Sequence, residues 1–244
     1  MSNACLIGID DTDNLQSRGT GHLVRRLGHL LMEKNIAEMV SVTRHQLLVH
    51  PDIPYTSHNS SACMKVLCEN PDEVRLFCRE FLSREGADGS DVGLCFAPEK
   101  NIQSIINWGL SAKKMILKMD DALNLAKQET IYLEGLLGTK CGVIGALAAV
   151  GLKMWGSDGR LLWLKNLRDT EGIWKISELK KIVPIEVVRH ISETEVPDND
   201  FLTLNDWFRP VMKNKKVTLY VEENQDENIR WKSAGKEYVK SISS

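Results

Sequence analysis

The feature that most constrains this chain is a short apolar segment near the N-terminus that runs directly into a group of aspartates. Ala4 to Ile9 forms the apolar run, and Asp10, Asp11 and Asp13 follow it at once. Such a run, ended abruptly by charge, predicts a buried β-strand whose C-terminal end presents carboxylates. Carboxylates this close repel one another, so the cluster calls for a compensating cation.

Magnesium is the cation that this pattern favours. Mg²⁺ takes a few carboxylate oxygens together with water and substrate phosphates. We therefore predict that Asp10, Asp11 and Asp13 hold Mg²⁺, with Asp11 and Asp13 also acting in catalysis. The alternative is a solvated acidic turn that caps the next segment. An EF-hand loop starting at Asp11 is disfavoured, because Leu15 occupies its fifth position and no glycine occupies its sixth.

A second group of candidates lies just downstream, at the start of a predicted helix over 22–34. Free backbone N–H groups at a helix start favour phosphate, so Arg18, Gly19 and Gly21 are predicted to bind a cofactor. Thr20 and His22 are candidate catalytic residues, although His22 could instead be an ordinary polar residue on the exposed face of the helix. His58, in a polar loop, is a further candidate acid or base.

The third group is a glycine-rich loop directly before a helix of small residues from Val143 to Leu152. It is not a Walker loop, because its lysine precedes the last glycines. We predict that four of its residues bind the cofactor: Gly138, Thr139, Lys140 and Gly142. The alternative, close packing of the small-residue helix on a sheet, is expected for Ala146, Ala148 and Ala149 in any case.

The composition predicts an ordinary folded protein. The chain has 244 residues, enough for two domains with hydrophobic cores, and 43% of the residues are hydrophobic. The formal net charge of −2 excludes a global attraction to nucleic acid or acidic membranes, so any polyanion site must be local.

The order of segments predicts an α+β fold. A helical region is expected from about Pro98 to Lys127, broken near Gly109, and a domain boundary should follow it. The last predicted strand runs from Val217 to Glu222, with a polar tail behind it.

Cysteine usage and the N-terminus indicate a cytoplasmic chain. The six cysteines include no C-x-x-C pair and lie mostly within apolar runs, which predicts reduced, buried thiols. The N-terminus lacks the basic region of a signal peptide, and no stretch approaches the length of a membrane span. We therefore expect no membrane partner, and a homodimer is compatible with the sequence.

Three separated segments occur in the order found in a known family: Gly8–Asp13, Pro51–Tyr55 and Gly142–Gly151. Together they resemble the agmatinylcytidine synthetase family (TiaS), over roughly residues 5 to 165. Members of that family use ATP to activate the wobble cytidine of an archaeal isoleucine tRNA for attack by agmatine.

The resemblance implies two domains and a cofactor. It implies a kinase-like α/β domain over 1–128, which binds ATP with Mg²⁺, and a ferredoxin-like domain with a C-terminal extension over 129–244. It also implies that Thr20 or His22 stands where the family has its autophosphorylated threonine.

Two departures from the family alter the expected substrate. The segment Thr56–Ser60 replaces the family's K-T-R-G-N and lacks its two cations, and no C-x-x-C is present for the family's zinc ribbon. The family also continues into an OB-fold, which we expect this chain to lack. We therefore expect tRNA as a substrate only with a separate RNA-binding partner, and otherwise a small-molecule acceptor.

The leading hypothesis is a stand-alone ATP- and Mg²⁺-dependent phosphotransferase or ligase-like enzyme, in which Arg18 and Lys140 neutralise developing negative charge. One alternative is a non-catalytic nucleotide-sensing module. Another is a haloacid-dehalogenase-type phosphatase, with Asp11 as nucleophile, Asp13 as acid or base and Asp120–Asp121 as a metal pair.

Overall fold

The computed structural model describes residues 2–53, 59–225 and 229–243. The chain divides into two compact units, Met1–Trp155 and Gly156–Ser244, and both mix helices with strands. The elements of the first unit are β1 (Asn3–Asp10), α1 (Thr20–Glu33), β2 (Glu38–Gln46), β3 (Ser60–Cys68), α2 (Pro71–Glu85), β4 (Gly93–Pro98), α3 (Gln103–Ala112), α4 (Met119–Gln128), β5 (Tyr132–Gly135) and α5 (Val143–Trp155). The α+β character expected from the sequence is confirmed.

The first unit is built on an antiparallel sheet with the strand order β5-β4-β1-β3-β2. The predicted N-terminal strand is β1, and it lies in the middle of this order with Leu6, Ile7 and Ile9 buried. Because β1 is paired on both sides, its C-terminal end places the aspartates at the middle of the sheet rather than at an edge strand.

Helix α5 packs against β1 at very short range, which explains its run of small residues. A Cβ added at Gly8 of β1 would lie 2.0 Å from the carbonyl oxygen of Ala146. Ala146, Ala148 and Ala149 are fully buried, as the close-packing interpretation predicts. The small side chains therefore set the distance between helix and sheet, and with it the position of the loop before α5.

The helical region after Pro98 is broken, but not at Gly109. That glycine lies inside α3, and the break falls at 113–118, between α3 and α4. A Cβ at Gly109 would be 2.9 Å from the carbonyl oxygen of Ala148, so the glycine is needed where α3 crosses α5.

The second unit is also built on a sheet, with the order β6-β10-β11-β12-β9-β7 and with β8 paired in parallel to β11. Its elements are β6 (Arg160–Trp163), β7 (Gly172–Lys175), α6 (Ile176–Ile182), β8 (Val187–His190), β9 (Phe201–Leu204), β10 (Val211–Lys213), β11 (Lys216–Glu223), β12 (Trp231–Ser233) and α7 (Lys236–Ile242). The prediction that only a polar tail follows β11 is wrong, because Trp231 and Val239 anchor β12 and α7 to buried clusters.

The kinase-like and ferredoxin-like assignments of 1–128 and 129–244 stay predictions. The compact units divide after Trp155 rather than after Gln128. The reason is that β5 pairs with β4 and α5 packs on β1, so both elements join the first unit.

Five of the cysteines are buried and all six are free thiols, while Cys141 is exposed. In the part of the chain that the structure describes, no helix combines the length and the apolar character needed to cross a bilayer.

Candidate functional site

A cavity of about 260 Å³ opens in the first unit, where β1 ends. Its polar wall is made of Asp10, Asp11, Asp13, Thr20, Asp52, Asn59, Ser60 and Asp91. The backbone-rich floor comes from the loop before α5 and its first turn: Cys141, Gly142 and Gly145. The remaining wall is apolar, and it contains Leu47, Ile53, Ala112, Met115, Ile116, Leu117 and Ile144.

Strand pairing explains why the aspartates converge. Asp10 ends β1 and is opposite Gly93 at the start of the antiparallel strand β4. Asp91, two residues before Gly93, therefore arrives beside Asp11. Asp91 is not among the predicted site residues, although its position directly before the short apolar run Val92–Phe96 was a signal that could have identified it.

The glycine-rich loop holds Asp91 in place. The side chain of Asp91 accepts hydrogen bonds from the backbone N–H and, at 2.7 Å, from the hydroxyl of Thr139. Gly138 has a φ of +58°, and a Cβ there would lie 2.0 Å from Asp91 Oδ1. The loop thus contacts the acidic wall directly, and it needs glycine at the point of contact.

Gly145 makes room for the carboxylate of Asp10, as Gly138 does for that of Asp91. A Cβ at Gly145 would be 1.7 Å from Asp10 Oδ2, so the carboxylate of Asp10 lies against the backbone of the first turn of α5. Gly145 is not among the residues predicted to bind the cofactor, yet its missing side chain makes room for the carboxylate.

The electrostatics of the polar wall favour a cation. Burial, and then the charge of Asp11, raise the pKa of Asp10 to about 8. Burial raises the pKa of Asp11 to about 6, with further contributions from Asp91 and Asp13. Among the described residues that line the cavity there is no Lys, Arg or His, so the repulsion is not offset by a cationic side chain of the lining.

Thr20 is held between the acidic wall and the chain segment that follows β1. Its hydroxyl donates to Asp13 Oδ1 at 2.8 Å, and its backbone N–H donates to the same oxygen at 3.0 Å. It also receives a 3.2 Å hydrogen bond from the hydroxyl of Thr12. The hydroxyl is therefore fixed in direction, next to a carboxylate and within the cavity lining.

Asp11 adopts a backbone conformation that is uncommon outside glycine, with φ of +52°. Aspartate tolerates the left-handed region better than most residues, but a residue held there at a functional site generally reflects a constraint imposed by its surroundings. Here that conformation turns the chain sharply between Asp10 and Asp13, so that all three carboxylates line one cavity.

Most of the other predicted site residues lie outside the cavity lining. Arg18, Gly19 and Gly21 lie close to Thr20 in the chain, but they do not line the cavity. His22, in the first turn of α1, does not line it either. Lys140 is exposed, with its side chain packed against Gly135. The expectation that Arg18 and Lys140 face the cluster therefore gains no support from their positions. His58 lies outside the described residues.

Asp10, Asp11 and Asp13, the three predicted metal ligands, do not form a ready-made metal site. Within the described ranges, no group of three or more His, Cys, Asp or Glu side chains is arranged as a ready-made metal site.

No family model and no curated protein matches the sequence. Solved structures do match. They include a crystal structure of TiaS in complex with its tRNA and ATP, with a TM-score of 0.55, 24% identity and coverage of 61% of this chain and 36% of that one. A crystal structure of a tRNA fluorescent labeling enzyme gives a TM-score of 0.54 at 24% identity, with the same coverage of both chains. A complex of TiaS with tRNA, AMPCPP and agmatine gives 0.53 at 23% identity, again with 61% and 36% coverage.

These matches show a shared fold over part of the chain, in agreement with the resemblance noted from the motifs. This chain spans 36% of the length of the three proteins. The likeness therefore concerns a portion of each of them.

Proposed function

We propose that the first unit binds ATP together with Mg²⁺ and activates its terminal phosphates. The observation that carries this proposal is the cavity itself, whose acidic wall, without a lining cation among the described residues, faces an apolar wall. A metal–nucleotide complex has the matching polarity, since it presents a cation and phosphates at one end and a flat base at the other. The shared fold with proteins solved as ATP and AMPCPP complexes supports the same ligand.

Asp10 and Asp11 are the residues that would hold Mg²⁺. Asp13 and Asp91 line the same cavity and add negative charge beside Asp11. When bound, the ion would neutralise phosphate charge and orient the phosphates. The raised pKa values of Asp10 and Asp11 support this assignment, because an added divalent cation is the most direct way to compensate half-buried, mutually repelling carboxylates.

The apolar wall would receive the adenine ring. Met115 and Ile116 are large apolar side chains with 55% and 49% of their surface exposed, and both line the cavity. Large exposed apolar side chains beside a polar site are typical of ligand contacts, because the ligand removes them from water.

Thr20 is the better placed of the two candidate phosphoryl acceptors. Its hydroxyl lies 2.8 Å from Asp13 and lines the cavity, whereas His22 does not line it. In the proposed step the Thr20 oxygen forms a bond to the γ-phosphorus as the bond from that phosphorus to the bridging oxygen breaks. ADP leaves, and the threonine proton passes to Asp13.

The acceptor that follows is either a small molecule or an RNA supplied with a partner. The matching structures come from proteins whose complexes contain tRNA, and one of them also contains agmatine. This favours a nucleophilic amine or an RNA base as the final reactant, and the chain would act as an ATP-activating enzyme.

The phosphatase alternative receives no support from the structure. It requires Asp120 and Asp121 near Asp11, but both lie in the first turn of α4 and outside the lining of the cavity.

Calorimetric titration of the whole chain with ATP, in the presence and absence of Mg²⁺, tests the proposal. Asp11→Asn/Asp13→Asn is expected to lower the affinity for Mg·ATP by at least about tenfold, since it removes one carboxylate that would hold the ion and a second negative charge beside it. The matched control is Asp120→Asn/Asp121→Asn, which removes the same charge from α4 and should leave binding unchanged. Failure of the wild type to bind ATP under either condition overturns the proposal. Binding without any ATP turnover points instead to the nucleotide-sensing alternative.

A further inference from the structure

Two cysteine side chains touch across neighbouring strands of the first unit. The Sγ atoms of Cys5 in β1 and Cys68 in β3 lie 3.9 Å apart, although 63 positions separate the two residues in the chain. The antiparallel register explains the contact. Cys5 is opposite Val66, so Cys68 is its diagonal neighbour on the same face of the sheet. Both are free thiols, so the pair is in its reduced form.

The pair lies where the pairing of β1 with β3 ends. Cys68 is the last residue of β3, and its partner Asn3 is the first residue of β1. Cys68 also lines an open groove of about 480 Å³, whereas Cys5 does not line it. The ends of a strand pair open more readily than its centre. The groove and the strand end therefore give a small reagent a route to Cys68 first.

Hydrogen bonding gives the two thiols different roles. The S–H group of Cys68 donates to the carbonyl oxygen of Asn3 at 3.8 Å. Because that engages its only proton, Cys5 is the donor in the contact between the two sulfurs.

The same hydrogen bond decides which thiol ionises first. Burial raises the pKa of Cys68, and the hydrogen bond from Cys5 opposes that rise because it stabilises the thiolate. At Cys5, burial and then the charge of Cys68 raise the pKa to about 12. Since the thiolate is the nucleophile in disulfide chemistry, Cys68 is the attacking residue and Cys5 reacts second.

We propose that Cys5 and Cys68 are a modification site, at which a small disulfide that enters the groove converts the pair into an intramolecular disulfide. The Cys68 thiolate attacks one sulfur of the reagent, a mixed disulfide forms, and the other half of the reagent leaves. Cys5 then loses its proton to solvent and attacks the Cys68 sulfur, which releases the second half. Each leaving thiolate takes up a proton from solvent. The two cysteines are oxidised, and the reagent is reduced to two thiols.

The charge of the groove selects the reagent. Among the described residues that line it, the charged ones are Glu38 and Glu69, and both are exposed. Two carboxylates attract a cationic disulfide and repel an anionic one. Cystamine, which carries two ammonium groups, should therefore react faster than oxidised glutathione, whose net charge is negative.

The inference goes beyond the proposed function and does not depend on it. The pair lies toward the start of β1, and neither thiol lines the cavity at the other end of that strand. Either proposal can fail while the other stands.

The test is a timed reaction of the whole chain with cystamine or with oxidised glutathione, stopped with iodoacetamide and analysed by peptide mass spectrometry. Cys141→Ser is the parent for every variant, because the exposed thiol of Cys141 would react with both reagents by itself. Cys5→Ser and Cys68→Ser each remove one thiol of the pair. Cys78→Ser is the matched control, since it removes another buried thiol close to Cys68.

The parent and the Cys78→Ser control are expected to give the linked Cys5–Cys68 peptide, at least about twofold faster with cystamine than with oxidised glutathione. Cys5→Ser should stop at the mixed disulfide on Cys68, and Cys68→Ser should stay unmodified at Cys5. The oxidised parent should unfold at a higher urea concentration than the reduced parent, because a cross-link over 63 positions restricts the unfolded chain. Dithiothreitol should restore the reduced midpoint.

Three results would overturn the proposal. The first is that the linked peptide does not form in the parent, where both thiols of the pair are present. The second is that it forms only at urea concentrations that unfold the chain. The third is that Cys68→Ser accumulates a mixed disulfide on Cys5 while Cys5→Ser stays unmodified, which would remove the roles of Cys68 and of the groove.

Discussion

Asp10 and Gly145 are in contact across the boundary between β1 and α5, and the contact exists only because Gly145 has no side chain. A Cβ at Gly145 would lie 1.7 Å from Asp10 Oδ2. A helix start thus lies directly against a half-buried carboxylate that is itself a candidate metal ligand. The position of Asp10 in the cavity is fixed as much by α5 as by its own strand.

Gly145→Ala is expected to displace the Asp10 carboxylate and to abolish Mg·ATP binding. Forcing a methyl group into this contact should also lower the free energy of unfolding by about 1–3 kcal/mol. Calorimetry measures the binding and chemical denaturation the stability. Gly235→Ala is the control, because an added Cβ there meets no atom within 4 Å. Unchanged Mg·ATP affinity in the Gly145 variant would show that Asp10 takes no part in the site.

Thr20→Val should prevent formation of a phosphoenzyme, while Thr20→Ser retains it. The valine removes the hydroxyl that donates to Asp13, whereas serine keeps an oxygen in its place. Intact-protein mass spectrometry after incubation with ATP measures the phosphorylated fraction. His22→Gln is the matched control and should be phosphorylated like the wild type. Phosphorylation that survives in the valine variant but is lost in the glutamine variant would reverse the assignment.

Met115→Ala/Ile116→Ala should weaken ATP binding by about 1–3 kcal/mol, since it removes apolar surface that the adenine would cover. Binding of inorganic tripolyphosphate with Mg²⁺ should not change, because that ligand lacks the base. Leu76→Ala/Leu123→Ala trims two other exposed apolar side chains and serves as the control. Equal losses for ATP and tripolyphosphate would mean that the apolar wall does not receive the base.

Lys153 makes the stability of the first unit depend on pH in the alkaline range. Its ammonium group donates to the hydroxyls of Thr43 at 2.8 Å and Ser41 at 3.2 Å, and burial lowers its pKa to about 8. The ordinary lysine value, about 10.4, applies to the unfolded chain. Between the two values the unfolded chain binds more protons, so rising pH stabilises the folded state; below about pH 8 the penalty is constant.

The Lys153→Met variant should lack this rise in stability at alkaline pH, because methionine does not titrate. The free energy of unfolding of the wild type, relative to the variant, should rise by about 1–3 kcal/mol between roughly pH 7.5 and 10. Urea denaturation across that range measures it. Lys100→Met, at an exposed position, is the control and should follow the wild type. If the difference in free energy of unfolding between wild type and variant does not change with pH, the pKa of Lys153 is the same in the folded and unfolded chain.

The first unit was largely predictable from local patterns. β1, α1 and α5 follow from short local patterns of apolar, small and charged residues, and the structure places them close to the expected bounds. The break after α3 was misplaced because a glycine inside a helix was interpreted as a stop signal. Its true role, close contact with α5, depends on a residue far away in the sequence.

The second unit was harder to predict. Strands β7, β9, β10 and β12 contain three or four residues each, which is too short to produce a recognisable alternation. Pairing with the longer strand β11 holds β10 and β12 in the sheet, and β9 and β7 are added by pairing with β12 and with each other.

By itself, the sequence determined that a buried strand ends in carboxylates and that a glycine loop precedes a helix of small residues. Both are local consequences of side-chain polarity and backbone freedom. Only the tertiary structure decided that Asp91 and Gly145 join that strand end, and that Arg18 and Lys140 stay outside the cavity lining. The antiparallel register of β1 and β4 and the close contact of α5 decide both outcomes, because they bring together residues that no short sequence window contains.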